Sequence, residues 1–393
     1  MKTADPELMR AINRFHVLDT IRRHGAIARV EIGERTELSA TTVSAITASL
    51  LDDRLITVRH EGDIRSRALR GRPRVMLALN PEAAWVVGAK LAADRAVFVV
   101  TNFQGDVLAD LTLPERIDRI SITAIAALVD EGVRRCVRDA GLALDQIKTV
   151  ALSLPGTIEH GTGKVLASSV LGDTDTSLRQ AIAARLGLDT IIESDANAIT
   201  MAQHWFGQAR DHDDFVLVAI EETLGLGVMH SGQLFRGAHG LSLTLGDMIM
   251  GAGGGNAVRL ADLAGEGAIL ASLAPGQDMA QARSRLDAGD AGLQEAAARA
   301  GAALGIAIVN LVILFAPPRV ILTGSALALG EHLLAPLRQA FASAIPAPLG
   351  ALAEIVIDDA GDQMWARGAA AVALGELYGS PWGTTGPARH GLQ

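Results

Sequence analysis

The chain is short of the residues that build disulfide-rich and metal-centred proteins. Of its 393 residues only one is cysteine, Cys136, one is tyrosine, and aromatics make up 3%. A single thiol excludes an internal disulfide and a cysteine zinc cluster, so Cys136 is expected to be a buried small apolar side chain. Long apolar runs are missing too. Hydrophobic residues are 49% of the chain, yet the longest apolar stretch, residues 306–316, is broken by Asn310 and ends at Pro317. A spanning helix needs roughly 20 apolar residues, so no membrane partner is expected. The first ten residues are polar and charged, which argues against a secretory leader and sets a cytoplasmic location as the expectation.

Basic charge is scarce except at one end. Residues 1–79 carry 14 Lys and Arg against 10 Asp and Glu, whereas the remainder carries 21 against 34. An acidic body repels nucleic acid, so any such contact is confined to the N-terminal module. The densest basic stretch is 59–74, with six arginines against Glu61 and Asp63. Guanidinium forks bind phosphate oxygens two at a time. Gly71 permits a turn and Pro73 holds Arg72 extended, a shape that can enter a minor groove. Taken alone, the stretch also reads as a solvated linker.

Its flanks favour the first reading. Leu8, Ile12, Phe15, Leu18 and Ile21 recur at helical spacing over 7–24, and Gly25 ends that helix. A second short helix fits 28–36. Ser39 is a good N-cap for a third over 40–53, with Val43, Ile46 and Leu50 facing inward. Residues 55–59 and 74–79 read as two strands with the arginines between them. Three helices and a basic two-stranded wing make a winged helix-turn-helix over 1–79, whose third helix belongs in a major groove of double-stranded DNA. The expected DNA contacts are Ser39, Thr41, Thr42 and Ser44 on the helix, with Arg65, Arg67, Arg70 and Arg72 on the wing. A small helical domain that binds protein is the competing reading. The helix offers no Arg, Asn or Gln for a bidentate base contact, so specificity leans on hydroxyls, methyls, shape or the wing. Glu37 is unusual, because the turn before a recognition helix often takes glycine for a positive φ.

Beyond Asn80–Pro81 the pattern becomes α/β. Strands are expected over 85–91, 96–101, 107–113, 149–154 and 191–193, with helices over 120–140 and 196–205. A second round follows, with strands over 215–220, 226–230, 233–235, 319–323 and 354–358, and helices over 294–314, 331–344 and 363–378. Two such rounds suggest two similar lobes, 80–205 and 206–360, with a cleft between them. The segment 361–378 is expected to pack on the first lobe, and 379–393 to form a loose tail.

Several motifs then fall into one order. Residues 70–74 with 77–81 (RGRPR, LALNP), 151–156 (ALSLPG), 193–198 (ESDANA) and 232–240 (GQLFRGAHG) resemble the signatures of ROK-family transcriptional regulators. The resemblance spans about residues 10–378. It implies an actin/hexokinase-like fold for the large module, a sugar cleft, and a homodimer or homotetramer.

The departures from that pattern are as informative. ROK kinases open the first lobe with an acid and paired glycines, and residues 88–95 have neither. In the second phosphate loop stand Glu221 and Glu222, which would repel a triphosphate. Asp195 matches the family's catalytic base, but with no ATP beside it such a base transfers nothing. Asp247 replaces the zinc-site histidine and residues 251–263 carry none of the three expected cysteines, so no metal or other cofactor is expected. Thr244 and Asp247 stand where the family has a sugar-gripping Glu–x–x–His pair, Ser194 replaces an Asn, and His239 replaces an Asn beside the cleft. His239 is expected to be a loop residue rather than a ligand.

The effector contacts expected are therefore Gly156, Thr157, Ser169, Ser194, Asp195, Thr244 and Asp247, taking a small sugar or polyol. Asp195, at a helix N-terminus, is expected to stay ionised. Effector occupancy is expected to reach the DNA-binding module through the 294–314 helix or subunit contacts. The whole reads as a sugar-responsive regulator, a repressor rather than an activator, without catalysis. The alternatives are a sugar kinase fused to a DNA-binding domain, a constitutive DNA binder whose large module only oligomerises, and a vestigial cleft that binds nothing.

Overall fold

A computed structural model describes residues 6–60, 75–172, 177–253, 256–271, 273, 277–359 and 361–379. The wing arginines Arg65, Arg67, Arg70 and Arg72 lie outside the described residues.

The N-terminal unit comprises α1 (Pro6–His24), β1 (Ile27–Ala28), α2 (Arg29–Thr36), α3 (Ala40–Asp52), β2 (Ile56–His60) and β3 (Val75–Leu79). The strands form one small sheet in the order β1-β3-β2. It is a winged helix-turn-helix. Gly25 stops α1 at φ +70°, and Glu37 caps α2 in the left-handed region at φ 56°, so the turn requires a positive φ even without glycine. Ser39 starts α3 by accepting a hydrogen bond from Thr42 N at 3.1 Å.

The first lobe runs β4 (Trp85–Leu91), β5 (Arg95–Asn102), β6 (Val107–Pro114), α4 (Ile122–Asp139), β7 (Ile147–Leu154), the hairpin β8 (Thr157–Glu159) and β9 (Lys164–Ala167), α5 (Ser177–Leu186), β10 (Asp189–Ser194) and α6 (Asp195–Phe206). Its sheet has the order β10-β7-β4-β5-β6. The second lobe begins with β11 (Phe215–Ile220), β12 (Leu224–His230), β13 (Gln233–Leu234), β14 (Leu243–Thr244) and the hairpin β15 (Ile249–Gly253) and β16 (Asn256–Arg259). It continues with α7 (Leu260–Ala264), α8 (Glu266–Leu270), α9 (Met279–Asp287), α10 (Ala291–Phe315), β17 (Arg319–Thr323), α11 (Glu331–Ala344), α12 (Ala347–Gly350) and β18 (Glu354–Ile357). Its sheet order, β13-β12-β11-β17-β18, repeats that of the first lobe position for position. In both lobes a meander of three antiparallel strands is extended by two parallel ones.

The last helix, α13 (Asp362–Leu377), lies on β4, β5 and β7 of the first lobe and beside α6. The approach is close enough to demand glycine: a Cβ on Gly88 would sit 2.1 Å from Ala366 O, and one on Gly368 2.2 Å from Ala198 O. One hydrophobic core joins Leu18 and Ile21 of α1 to Trp205 of α6 and to Ala370, Leu374 and Tyr378 at the C-terminal end. The winged helix therefore shares a core with the first lobe.

Two expectations need correction. By length and composition α10 could cross a membrane, although no single apolar run in it is long enough; more than half of its most apolar stretch is buried. Gly301 and Gly305 let it meet α11, where added Cβ atoms would lie 2.2 Å from Leu333 O and 2.5 Å from Leu337 O. In α3, Thr47 rather than Ile46 completes the fully buried stripe with Val43 and Leu50, while Ile46 is half-buried. Thr47 can sit there because its hydroxyl accepts from Arg29 Nε at 3.0 Å and donates to Ser44 O at 3.2 Å.

Candidate effector cleft and DNA-binding face

The cleft is built at the strand-to-helix junction of the first lobe. Ser194 ends β10 and caps α6, accepting from Asn197 N at 3.2 Å. Asp195 is the first residue of α6, is buried, and accepts from Ala196 N at 2.7 Å. Opposite them, β12 of the second lobe runs directly over α6. A Cβ on Gly225 would lie 2.6 Å from Ala196 Cβ, and one on Gly227 1.8 Å from Thr200 Oγ1. This G-x-G is thus a packing device and not a phosphate cradle. At the floor Gly156 has φ +145°, and a Cβ there would lie 2.1 Å from Ala167 O, so only glycine fits.

A cavity of about 210 Å³ results, lined by Gly156, Thr157, Ser169, Ser194, Asp195, Thr244 and Asp247 together with Thr223, Leu224 and Leu243. All seven cleft residues singled out from the sequence are brought together. The volume suits one small polyol, since clefts for larger ligands run to roughly 300–1,000 Å³. The two lobes touch at its edge, where Thr157 Oγ1 and Thr244 Oγ1 are 3.0 Å apart. Ser169 is exposed and hydrogen-bonds the Glu222 carboxylate. Asp247 is exposed at the rim and ion-paired with Arg259, so it is not the free acceptor expected. His239 is exposed and lies outside the cavity lining.

The charge state of Asp195 also differs from expectation. Burial raises its carboxyl from the usual 3.8 to about 6, Glu221 adds to the rise, and Lys90 and the backbone amides of the helix start oppose it incompletely. Loss of solvation outweighs the helix terminus, so Asp195 titrates near pH 6.

Beside it, where the sequence lacks a phosphate loop, an ion pair stands. Lys90 of β4 is buried, donates to Glu221 Oε2 at 3.0 Å and lies 4.0 Å from the Trp365 ring centroid. Glu221 Oε1 accepts from Ser325 N at 3.0 Å. On α8, burial raises the Glu266 carboxyl to about 7, with Glu221, Glu222 and Asp278 adding to it.

Sequence reasoning missed a second polar cluster across the lobes. Glu193 is fully buried and accepts from Arg236 Nη2 at 2.8 Å and Asn197 Nδ2 at 2.8 Å, with His160 Nδ1 3.0 Å away. Burial opposes its charge, but Arg236 and His160 hold its carboxyl well below the usual range. Burial likewise works against charge on His160, yet bonds to Glu193 and Glu376 raise its pKa. These residues come from four separate segments, and only the Glu193–Asn197 spacing of four was visible in the chain.

In the N-terminal unit α3 and its cap leave Ser39, Thr41, Ser44, Ala45 and Ala48 exposed, with Thr42 half-buried and its hydroxyl 2.8 Å from that of Ser39.

The ROK family profile matches residues 87–376. The chain belongs to the ROK family. Among ROK relatives, the "Xylose repressor" of Bacillus subtilis is 24% identical over 382 residues, covering 95% of this chain and 98% of that protein. The "DNA-binding transcriptional dual regulator NagC" of Escherichia coli is 25% identical over 240 residues, covering 60% and 56%. In three dimensions the chain is similar to a ROK family transcriptional regulator described as a homolog of the E. coli MLC protein, with TM-score 0.77, 23% identity, and 94% and 97% of the two chains covered. It is also similar to the ROK hexokinase of Thermus thermophilus, with TM-score 0.62 and 23% identity, over 75% of this chain and 99% of that one. The ROK fold is thus common to both, and the kinase match leaves a quarter of this chain uncovered.

Proposed function

We propose that this chain is a sugar-responsive, DNA-binding transcriptional repressor whose kinase-like module senses an effector without catalysis. The observation that carries the reading is the winged helix fused to a ROK module, with the Thr41, Ser44, Ala45 and Ala48 face of α3 left open. Relatives named as xylose and N-acetylglucosamine regulators support a sugar or polyol as the effector class. A DNA partner supports a cytoplasmic location. A homodimer or homotetramer is supported by α10, where Ile306 and Ile313, seven residues apart, are exposed on one helix face and Leu314 and Phe315 are exposed at its end.

What supports the absence of catalysis is the filled phosphate region. The Lys90–Glu221 pair bridges the lobes there, and the Glu222 carboxyl beside it offers an anion no favourable contact. One observation favours the kinase alternative: a carboxyl near pH 6 in the cleft suits a general base.

The test is DNA binding to the region upstream of its own gene, measured with and without D-xylose, N-acetylglucosamine and a panel of polyols. Release of DNA by one of them is expected, with thermal stabilisation of the protein by the same compound. Binding of DNA that no compound alters supports the constitutive reading. Transfer of labelled phosphate from ATP to any of the sugars supports the kinase.

A further inference from the structure

The expected route from cleft to DNA ran through α10, but α10 packs chiefly within the second lobe, on α11, α7 and α8. The Asp195–Phe206 helix takes a different course. Its 12 residues span about 18 Å at the usual rise. Its N-terminus, with Ser194 and Asp195, lines the effector cavity. Its C-terminus ends against α1 of the DNA-binding unit.

That far end is held by a compact set of contacts. Arg23 Nη2 lies 3.0 Å from His204 Nε2 and donates to Asp213 Oδ1 at 2.5 Å. Arg22 stacks over the Trp205 ring at 4.5 Å, and Arg210 donates to Arg22 O at 3.2 Å. Burial, with Arg22 and Arg23 alongside, lowers the His204 pKa to about 3, so its ring is neutral and its Nε2 accepts from Arg23. The proton then sits on Nδ1, which is buried without a partner.

Along its length α6 is in close contact with the second lobe as well as with α13. β12 crosses it at Gly225 and Gly227, so no interlocking side chain stands between strand and helix there. Gln203, in the last turn, donates to Asp358 at the edge of the second-lobe sheet at 2.5 Å. Both ends of α6 therefore touch the second lobe, and one end touches the DNA-binding unit.

We propose that α6 is the element that carries effector occupancy to the DNA-binding unit, with His204, Trp205 and the Arg23–Asp213 pair as its output contacts. The proposal rests on the regulator reading and assigns its internal route. Arg23, His204 and Asp213 are positioning residues, since none of them lines the cavity or belongs to α3.

Coupling is reciprocal, so DNA on the winged helix is felt at the cleft end of α6. The experiment uses full-length protein, random-sequence duplex DNA at low salt, and amide hydrogen exchange. In the parent protein DNA should slow exchange in α3 and also at residues 196–200, the latter by about fivefold, the low end of typical coupling between sites. Asp213→Asn and His204→Gln should keep the protection of α3 and lose the response at 196–200. The coupling is overturned if the parent shows protection in α3 but none at 196–200, or if both variants retain the distant response in full. Absence of any α3 protection in the parent strikes the regulator reading itself, a different outcome.

Discussion

At the scale of single residues, Asp195 shows how environment sets chemistry. Its folded pKa of about 6 lies above the ordinary 3.8, so the folded state binds the proton more tightly than the unfolded chain. The stability this brings is complete below pH 4 and is lost as the pH rises through 6. Above that the ionised, buried carboxylate costs up to about 3 kcal/mol. Asp195→Asn should therefore stabilise the protein at pH 8 and give little gain at pH 4, as denaturant titration at the two pH values would reveal. Equal gains at both would mean that burial of the charge is not the cause. In α3, Leu50→Ala should cost about 2–5 kcal/mol, the range for emptying a core site. Ile46→Ala should cost less, because Ile46 keeps part of its surface in water. Thr47 escaped the sequence reading because a hydroxyl residue does not count toward an apolar stripe. Only its bonds to Arg29 and Ser44 make it acceptable inside.

At the scale of elements, α13 carries a sharp contrast. Gly368→Ala would force a Cβ to within 2.2 Å of Ala198 O, backbone against backbone, and overpacking of this kind costs about 1–3 kcal/mol or more. Gly375, two turns on, would place a Cβ 3.5 Å from Met201 Cε and 4.0 Å from Trp205 Cζ2, ordinary contacts with side chains. Gly375→Ala should gain roughly 0.5–1 kcal/mol from helix propensity. Opposite shifts in melting temperature for these two changes in one helix would check the packing of α13 on α6. The elements best read from sequence were those bounded by sharp signals. Trp85–Leu91, Phe215–Ile220, Arg319–Thr323 and Glu331–Ala344 match their expected limits, being apolar runs or stripes cut off by turn residues. Those missed lacked such boundaries. The helix α5 is short, α7–α9 lie in an Ala- and Gly-rich stretch with little apolar periodicity, and β1 is a two-residue strand that exists only by pairing with β3. Part of the cleft was legible because Gly156, Ser194 and Asp195 fall in short contiguous motifs, while Thr157, Ser169, Thr244 and Asp247 followed only from the family resemblance. The α1–α6 junction was not, because Arg23 and His204 are 181 residues apart and nothing local marks either.

At the scale of the whole molecule, the surface of α10 bears on assembly. Leu314 is 71% exposed and Phe315 40%, large values for apolar side chains at the end of a long helix. If two copies meet there, Leu314→Arg should lower the mass seen by light scattering while leaving the melting temperature within about 1 kcal/mol of unchanged stability, as expected for a surface substitution. An unchanged mass would locate subunit contact on another face.

The C-terminal position of α13 has a consequence for synthesis. The first module to leave the ribosome is the winged helix, yet Leu18 and Ile21 of that module lie in one core with Ala370, Leu374 and Tyr378. Domains generally fold as they emerge. This one emerges without the far wall of its own core, which is supplied some 290 residues later by the last described helix. A nascent chain can therefore form α3 early, but it cannot complete the core that joins α1 to the first lobe until translation has passed residue 378. Partial products able to occupy an operator without answering to any effector are thereby left unfinished.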